Sequence, residues 1–298
     1  MILITGGTGF IGQHLIRQLV RQGYDVRILL RPSSSSPRLP LGVSVEAAVC
    51  GLRDERGIRA ALQGVDVVFH LASAERAGSR GDLNGVDVEG TASLVRVCKE
   101  VGVERLFYVS HLGADQFSGF PMLRAKGLAE MHIQQSGLPY TIFRSAILFG
   151  KGDYFSEPFT QLMRMVPLVF LMPGDGENLL QPLWVEDLVT CLNLALEDPA
   201  TTNQVFTIGG MESFSFAEAL RMFMASAHLK RQLVSVPLTT MHNLALWIDQ
   251  AYPKFPISIH WIDYLSVDRT CPLDSLPRLF GLMPARMRML LSYLRYQG

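Results

Sequence analysis

The first fourteen residues, Met-Ile-Leu-Ile-Thr-Gly-Gly-Thr-Gly-Phe-Ile-Gly-Gln-His, constrain this chain more than any other stretch. Ile2 to Ile4 is a short apolar run, the right length for a buried parallel strand. Gly6, Gly9 and Gly12 follow at three-residue spacing. From Phe10 the apolar positions Phe10, Ile11, Leu15, Ile16, Leu19 and Val20 fall on one helical stripe. Strand, glycine turn and helix form the context that a dinucleotide fingerprint needs. Gly6 then allows the tight turn, Gly9 leaves the pyrophosphate unobstructed, and Gly12 lets helix and strand pack closely. The helix start offers its free N–H groups to the phosphates.

The pattern repeats along the chain. Tyr24–Leu30, Val43–Val49, Val65–Leu71, Leu106–Ser110 and Tyr140–Phe143 read as strands. Asp54–Leu62, Asp87–Val101 and Leu123–Ser136 read as helices between them, and Pro32–Pro37, rich in serine, as a loop. This alternation predicts an α/β fold, a Rossmann-type doubly wound parallel sheet of about seven strands. Right-handed crossovers put its ligand crevice at the strand C-terminal ends, where Gly6, Arg31, Ala72–Ser73, Ser110 and Arg144–Ser145 fall.

After Gly150 the alternation breaks down. Helices are expected over Phe155–Val166, Val185–Ala195 and Phe216–Ala227, with a strand at Gln204–Ile208. Ser215 with Glu218 three residues on reads as a capping box. The remainder is apolar, punctuated by proline and expected to be helical. The domains are therefore set at 1–150, a dinucleotide-binding core, and 151–298, a smaller, mostly helical lobe interleaved with it.

An acid about twenty residues past the glycines would bind a ribose 2′-hydroxyl. No Asp or Glu lies between Val26 and Val45, and Arg31 stands just after the second strand. An Arg pairs with a 2′-phosphate, so NADP(H) is expected rather than NAD(H); the competing reading is an ordinary loop arginine. The formal net charge is zero, which argues against nucleic acid as a partner. Cys50, Cys98, Cys191 and Cys271 have no metal-ligand or CxxC spacing, so reduced thiols and no metal are expected. The first strand starts at Ile2, which leaves no room for a targeting peptide, and no stretch of about twenty uncharged apolar residues occurs. A cytoplasmic protein is expected, with contact at a membrane surface left open.

Six stretches carry a family resemblance: Thr5–Gly12, His70-Leu-Ala-Ser73, Val86-Asp-Val-Glu-Gly-Thr91, Leu123–Glu130, Phe143–Gly150 and Gln181-Pro-Leu-Trp-Val-Glu-Asp187. In order and spacing they resemble the extended and atypical short-chain dehydrogenase/reductase superfamily. The look is most similar to the branch that includes the NAD(P)H-binding accessory subunit of respiratory complex I, whose relatives are tied to quinone metabolism. The resemblance implies a cofactor set of Thr5, Gly6, Thr8, Gly9, Phe10, Ile11, Gly12, Arg31, Leu52, Leu71, Ala72, Ser73, Lys126 and Ser145.

The superfamily normally uses a Tyr-x-x-x-Lys pair on one helix face, with the Tyr hydroxyl moving the proton and the Lys holding ribose and lowering the Tyr pKa. Here Lys126 matches the lysine, but Met122 stands four residues before it, and a thioether cannot move a proton. Ser110 matches the substrate-orienting hydroxyl only loosely, one turn of chain early. Gly51 replaces an adenine-contacting Asp, leaving the Gly51–Leu52 backbone for that role, and Asp87 replaces an Asn. A sugar-nucleotide epimerase fits the fold but is poorly served without the Tyr.

Several of the remaining candidates have two readings. Lys126 holds ribose or is a solvated helix lysine. His111 is a substitute acid or is structural. Tyr108 and His70 are core, and Asp187 caps its helix. The apolar run Leu162–Pro173 lines a pocket for a quinone- or lipid-like substrate, or is plain lobe core. The C-terminus has Arg278, Arg286, Arg288 and Arg295 with Leu290, Leu291, Tyr293 and Leu294, and no acid after Asp274. It is a basic amphipathic helix for a membrane or partner, or a helix packed on the lobe. Two functions follow. One is a reductase of an apolar substrate using Ser110, Lys126 and His111. The other is a non-catalytic NADPH-binding accessory subunit or assembly factor of a membrane complex.

Overall fold

The computed structural model describes residues 1–33, 39–252 and 259–296. Residues 34–37 of the expected serine-rich loop lie outside that set. Strands β1 (Ile2–Thr5), β2 (Val26–Leu30), β3 (Glu46–Val49), β4 (Val67–His70), β5 (Arg105–His111) and β6 (Tyr140–Ser145) alternate with helices α1 (Phe10–Arg21), α2 (Glu55–Ala61), α3 (Glu89–Val101) and α4 (Pro121–Gln135). The chain continues through β7 (Leu148–Phe149), α5 (Ser156–Met165), β8 (Val169–Pro173), β9 (Leu179–Leu180), β10 (Leu183–Trp184), α6 (Val185–Glu197) and β11 (Gln204–Ile208). It ends with β12 (Phe214–Ser215), α7 (Phe216–Ser226), β13 (Gln232–Val236), α8 (Leu238–Ala251), α9 (Ile259–Tyr264), α10 (Ser275–Phe280), α11 (Met287–Leu290) and a 3-10 turn over Leu291–Tyr296.

The main sheet is parallel and seven-stranded, in the order β11-β6-β5-β4-β1-β2-β3. The chain first winds outward through β2 and β3, then restarts at β4 on the other side of β1. This reversal between β1 and β4 is the switch point where a doubly wound sheet opens a crevice. Two compact units divide the chain. The first holds Met1–Ala74, Asp82–Arg144 and Leu188–Phe206; the second holds Glu75–Gly81, Ser145–Asp187 and Thr207–Gly298.

In the first unit the central strands are apolar on both faces, as helices on both sides demand. Leu3, Val68, Leu106 and Ile142 are buried with Leu94 and Val97 of α3 and Ile133 of α4. Helix ends follow local chemistry. Asp54 caps α2 by accepting from the Gly57 N–H, and α3 stops at Gly102, whose φ of 79° no β-branched residue would take readily. Several expected boundaries move. The third strand starts at Glu46 rather than Val43, where the register with β2 begins with Arg27 opposite Glu46. The fourth strand is Val67–His70, although backbone pairing reaches one residue further at each end, with the Asp66 N–H donating to the Met1 carbonyl and the Leu71 N–H to the Thr5 carbonyl. A π turn over Asn84–Val88 precedes α3, and α4 begins at Pro121, so Met122 is helical.

The second unit has an aromatic core. Phe155 stacks on Trp261 and meets Phe223 edge-on, and Phe159 meets Phe216 edge-on. The Ser215–Glu218 capping box forms in both directions, as its spacing predicts. Asp153 accepts from the N–H groups of Phe155 and Glu157 and from Ser156 Oγ at 2.5 Å, while Tyr293 lies 2.7 Å from the same hydroxyl. Burial raises the Asp153 pKa to about 6. The segment after α7 is not helical throughout: β13 pairs in parallel with β8. Gln-Leu-Val-Ser-Val alternates like a strand, and Pro237 ends it. At the C-terminus Leu291 and Leu294 are buried while Arg288 and Arg295 are exposed. Of the two readings of this stretch, Leu291 and Leu294 follow the one in which it packs on the lobe.

Candidate functional site

The glycine loop is shaped by contact as much as by turn geometry. Gly6 has a φ of 71°, and a Cβ there would lie 2.6 Å from the Ala72 nitrogen. A Cβ on Gly12 would lie 2.5 Å from the Gly6 carbonyl oxygen and 2.6 Å from Gly7 Cα. Only hydrogen fits at either position. Gly9 is the N-cap of α1 and supplies no side-chain cap, so the first-turn N–H groups stay available to an anion. Gln13 Nε2 donates to the Thr8 carbonyl and fixes the outer part of the loop. Thr5 and Phe10 are buried, while Thr8 and Ile11 are half-buried.

A directed chain of hydrogen bonds runs under this loop. The Ala72 N–H donates to Thr5 Oγ1 at 3.3 Å, and Thr5 Oγ1 lies 2.6 Å from His70 Nδ1. On the other side His70 Nε2 lies 2.8 Å from Thr91 Oγ1, whose proton goes to the Asp87 carbonyl at 2.5 Å. Since Thr91 spends its proton there, His70 Nε2 must donate and Nδ1 must accept from Thr5. This needs a neutral imidazole. Burial, aided by the Lys126 charge, pulls the His70 pKa down to about 3. His70 thus ties β1, β4 and α3 together, a long-range role that its place at a strand end did not reveal.

Beside this chain sits a buried ion pair. Lys126 Nζ lies 3.2 Å from Asp87 Oδ1, with Lys126 only 4% exposed. Asp87 Oδ2 accepts the Ala74 N–H at 2.9 Å. The Lys126 ammonium also sits 5.5 Å from the Tyr108 ring centroid, and Tyr108 stacks on His70. Burial raises the Tyr108 pKa, and Lys126 opposes that rise. Lys126 is therefore no solvated helix lysine. Met122 is buried on the same helix, one turn back, and brings no ionisable group. Ser110 Oγ is buried and has no hydrogen-bond partner among the described residues. It shares a face of β5 with Tyr108. His111 is half-buried at the strand end.

The other candidates spread further. Leu71, Ala72 and Ser73 follow β4 against the glycine loop, all half-buried. Leu52 packs on α3, its Cβ 2.9 Å from where a Gly90 Cβ would stand. Arg31 is exposed after β2. Ser145 belongs to the second unit and donates its hydroxyl to the Ala146 carbonyl. Asp187 accepts the Ala285 N–H at 2.8 Å, so it anchors the C-terminal segment as well as standing in the first turn of α6. In the run Leu162–Pro173, Phe170 and Met172 are core, while Leu168, Val169 and Leu171 are exposed. Among the described residues no cluster of His, Cys, Asp or Glu could hold a metal, and no helix is long and apolar enough to cross a membrane.

The residues present fit a dinucleotide: a cradle that any Cβ would fill, an uncapped helix start, and a buried lysine at the switch point. Residues 6–154 match the model of the NAD(P)H-binding family. The 3beta-hydroxysteroid-dehydrogenase/decarboxylase isoform 1 of Arabidopsis thaliana is 28% identical, over 84% of this chain and 66% of its own length. The mitochondrial NADH dehydrogenase [ubiquinone] 1 alpha subcomplex subunit 9 of the same plant is 28% identical, over 86% of this chain and 65% of its own length. The chain thus spans just under two thirds of these relatives. An epimerase from Methanothermobacter thermautotrophicus has the same fold, with a TM-score of 0.78 at 21% identity over 99% of this chain and 90% of its own.

Proposed function

Because this chain belongs to the NAD(P)H-binding family, within the atypical short-chain dehydrogenase/reductases, we propose that it holds NADP(H) as a resident cofactor and does not turn it over. The reading makes it an accessory subunit or assembly factor of a membrane complex, as its likeness to the complex I subunit suggests. When bound, the nicotinamide supplies hydride chemistry. The glycine loop and the start of α1 would hold the pyrophosphate, Lys126 the nicotinamide ribose, and Arg31 the 2′-phosphate.

One observation carries the reading. Where the superfamily places a proton-moving hydroxyl, α4 presents the buried thioether of Met122, and the neighbouring Lys126 charge is matched by Asp87 at 3.2 Å. A lysine so paired anchors ribose but has no phenol on its own helix to activate. The test is a single-turnover measurement. The protein is loaded with NADPH and mixed with short-chain quinones and apolar enones, and nicotinamide absorbance is followed against a protein-free control. Retained absorbance with tight binding is expected, together with migration in a large assembly on native electrophoresis of a mild detergent extract.

A second reading rests on Ser110. Its hydroxyl is buried near the end of β5 and has no hydrogen-bond partner among the described residues, so it can orient a substrate oxygen. That favours a reductase of an apolar substrate, in line with the likeness to a hydroxysteroid dehydrogenase/decarboxylase. Protein-dependent NADPH oxidation that falls in Ser110→Ala would replace the first reading with this one.

A further inference from the structure

We propose that the second unit docks on an anionic phospholipid membrane through the outer face of the β8–β13 pair and the basic end beside it. The surface is independent of what becomes of the cofactor. It is also distinct from the C-terminal leucine stripe, which is buried.

The apolar part follows from strand alternation. β8 turns Phe170 and Met172 into the unit and Val169 and Leu171 outward. The register sets Val234 of β13 opposite Leu171, and it too is exposed. Leu168, 74% exposed, is held against the start of β13 by its carbonyl, which accepts the Gln232 N–H at 2.9 Å. Met165, at the end of α5, is 69% exposed. Apolar side chains are common singly on a surface; a contiguous run on paired strands marks an interaction face.

The charges decide what that face meets. At the N-terminal end of both strands, Arg221, Lys230 and Arg231 line a shallow groove of about 560 Å³ with Met224, Leu229 and Gln232. The C-terminal turn joins the same end: Arg164 donates to the Leu294 carbonyl at 2.5 Å and Ser226 to the Leu291 carbonyl at 2.7 Å, which brings in exposed Arg295. Residues 158–174, 219–248 and 275–298 contain no Asp or Glu; the acids on the contributing helices stand in their first turns, Glu157 of α5 and Glu218 of α7, whose carboxylate accepts the Ser215 N–H. The nearest acids in sequence to β8, Asp175 and Glu177, lie past its opposite end. Arg221, Lys230 and Arg295 are exposed, while Arg231 is half-buried and donates to the Met163 carbonyl; the exposed cations bordering the apolar face complement a phosphate-rich surface over an acyl layer. Since no described helix could span a bilayer, the contact is peripheral.

The experiment is co-sedimentation of the full chain with vesicles of phosphatidylcholine, alone or mixed with phosphatidylglycerol. Binding to the mixed vesicles is expected, little to the neutral ones, and release on raising salt. Arg221→Glu and Lys230→Glu should each weaken binding about fivefold or more. Leu168→Asp should weaken it comparably, with an unchanged circular dichroism melting curve as the folding control. The proposal is overturned by no binding to mixed vesicles, by equal binding to neutral ones, or by full binding of all three variants. Self-association that Leu168→Asp abolishes, without vesicle binding, would assign the face to a second copy and overturn it as well.

Discussion

Lys126 and Asp87 meet as a buried ion pair 3.2 Å apart, between α4 and the π turn before α3. In the family pattern that this chain resembles, the second position holds an uncharged Asn. The Asp brings a negative charge to a lysine that is out of water, and its second oxygen takes the Ala74 N–H. The lysine is thereby fixed in place, with a counter-charge beside it, while its own charge still acts on His70 and Tyr108.

Breaking one side of such a pair leaves an uncompensated buried charge. Lys126→Met should cost about 3–5 kcal/mol in urea unfolding. The Asp87→Asn/Lys126→Met double variant should recover part of that loss. Strict additivity of the two single changes would mean that the pair carries no coupling.

Gly12→Ala places a methyl 2.5 Å from the Gly6 carbonyl oxygen. The clash is with backbone, which has no rotamer to yield. NADPH affinity should fall at least about tenfold as the loop shifts, with a loss of about 1–3 kcal/mol in stability. Fluorescence titration and thermal melting read the two effects; unchanged affinity would detach Gly12 from the cofactor.

Arg31 is exposed and lies in a stretch without acids. If it pairs with a 2′-phosphate, Arg31→Ala should weaken NADPH binding by about tenfold, the worth of a charge-assisted hydrogen bond. NADH affinity should stay the same. An equal loss for both cofactors would reject the 2′-phosphate contact.

His70 should remain neutral in NMR titration until the pH nears 3. Its folded pKa lies below the ordinary value of 6.5, so the unfolded chain binds the proton first. The contribution is fully present above pH 6.5 and declines as the pH falls toward 3, by at most about 1.4 kcal/mol per pH unit. Asp153, with its pKa raised to about 6, has the opposite sign: its contribution is greatest below pH 3.8 and is lost as the pH rises through 6. Replacing His70 with Gln should therefore flatten the acid loss of stability measured in urea.

What the sequence by itself determined is local. β1, the glycine turn and α1 were legible because strand period, turn chemistry and helix period lie within fourteen consecutive residues. The Ser215–Glu218 box was legible because a helix brings the N-cap and the third residue together whatever surrounds them. The alternation of strands and helices gave the layer order, and short crossovers allow few topologies. Where the reading slipped, the deciding partner was remote. Glu46 begins β3 because Arg27 is across from it, and β13 is a strand because β8 offers an edge. Asp87 and Lys126 carry no mutual signal in sequence; the π turn and α4 bring them together. His70 looked like a core residue until Thr5 and Thr91 appeared on its two nitrogens. The three acid-free segments are unremarkable taken singly and become one basic end only in the fold. Periodicity and capping act within a turn of chain, whereas buried pairs and surface charge depend on which elements the crossovers set side by side.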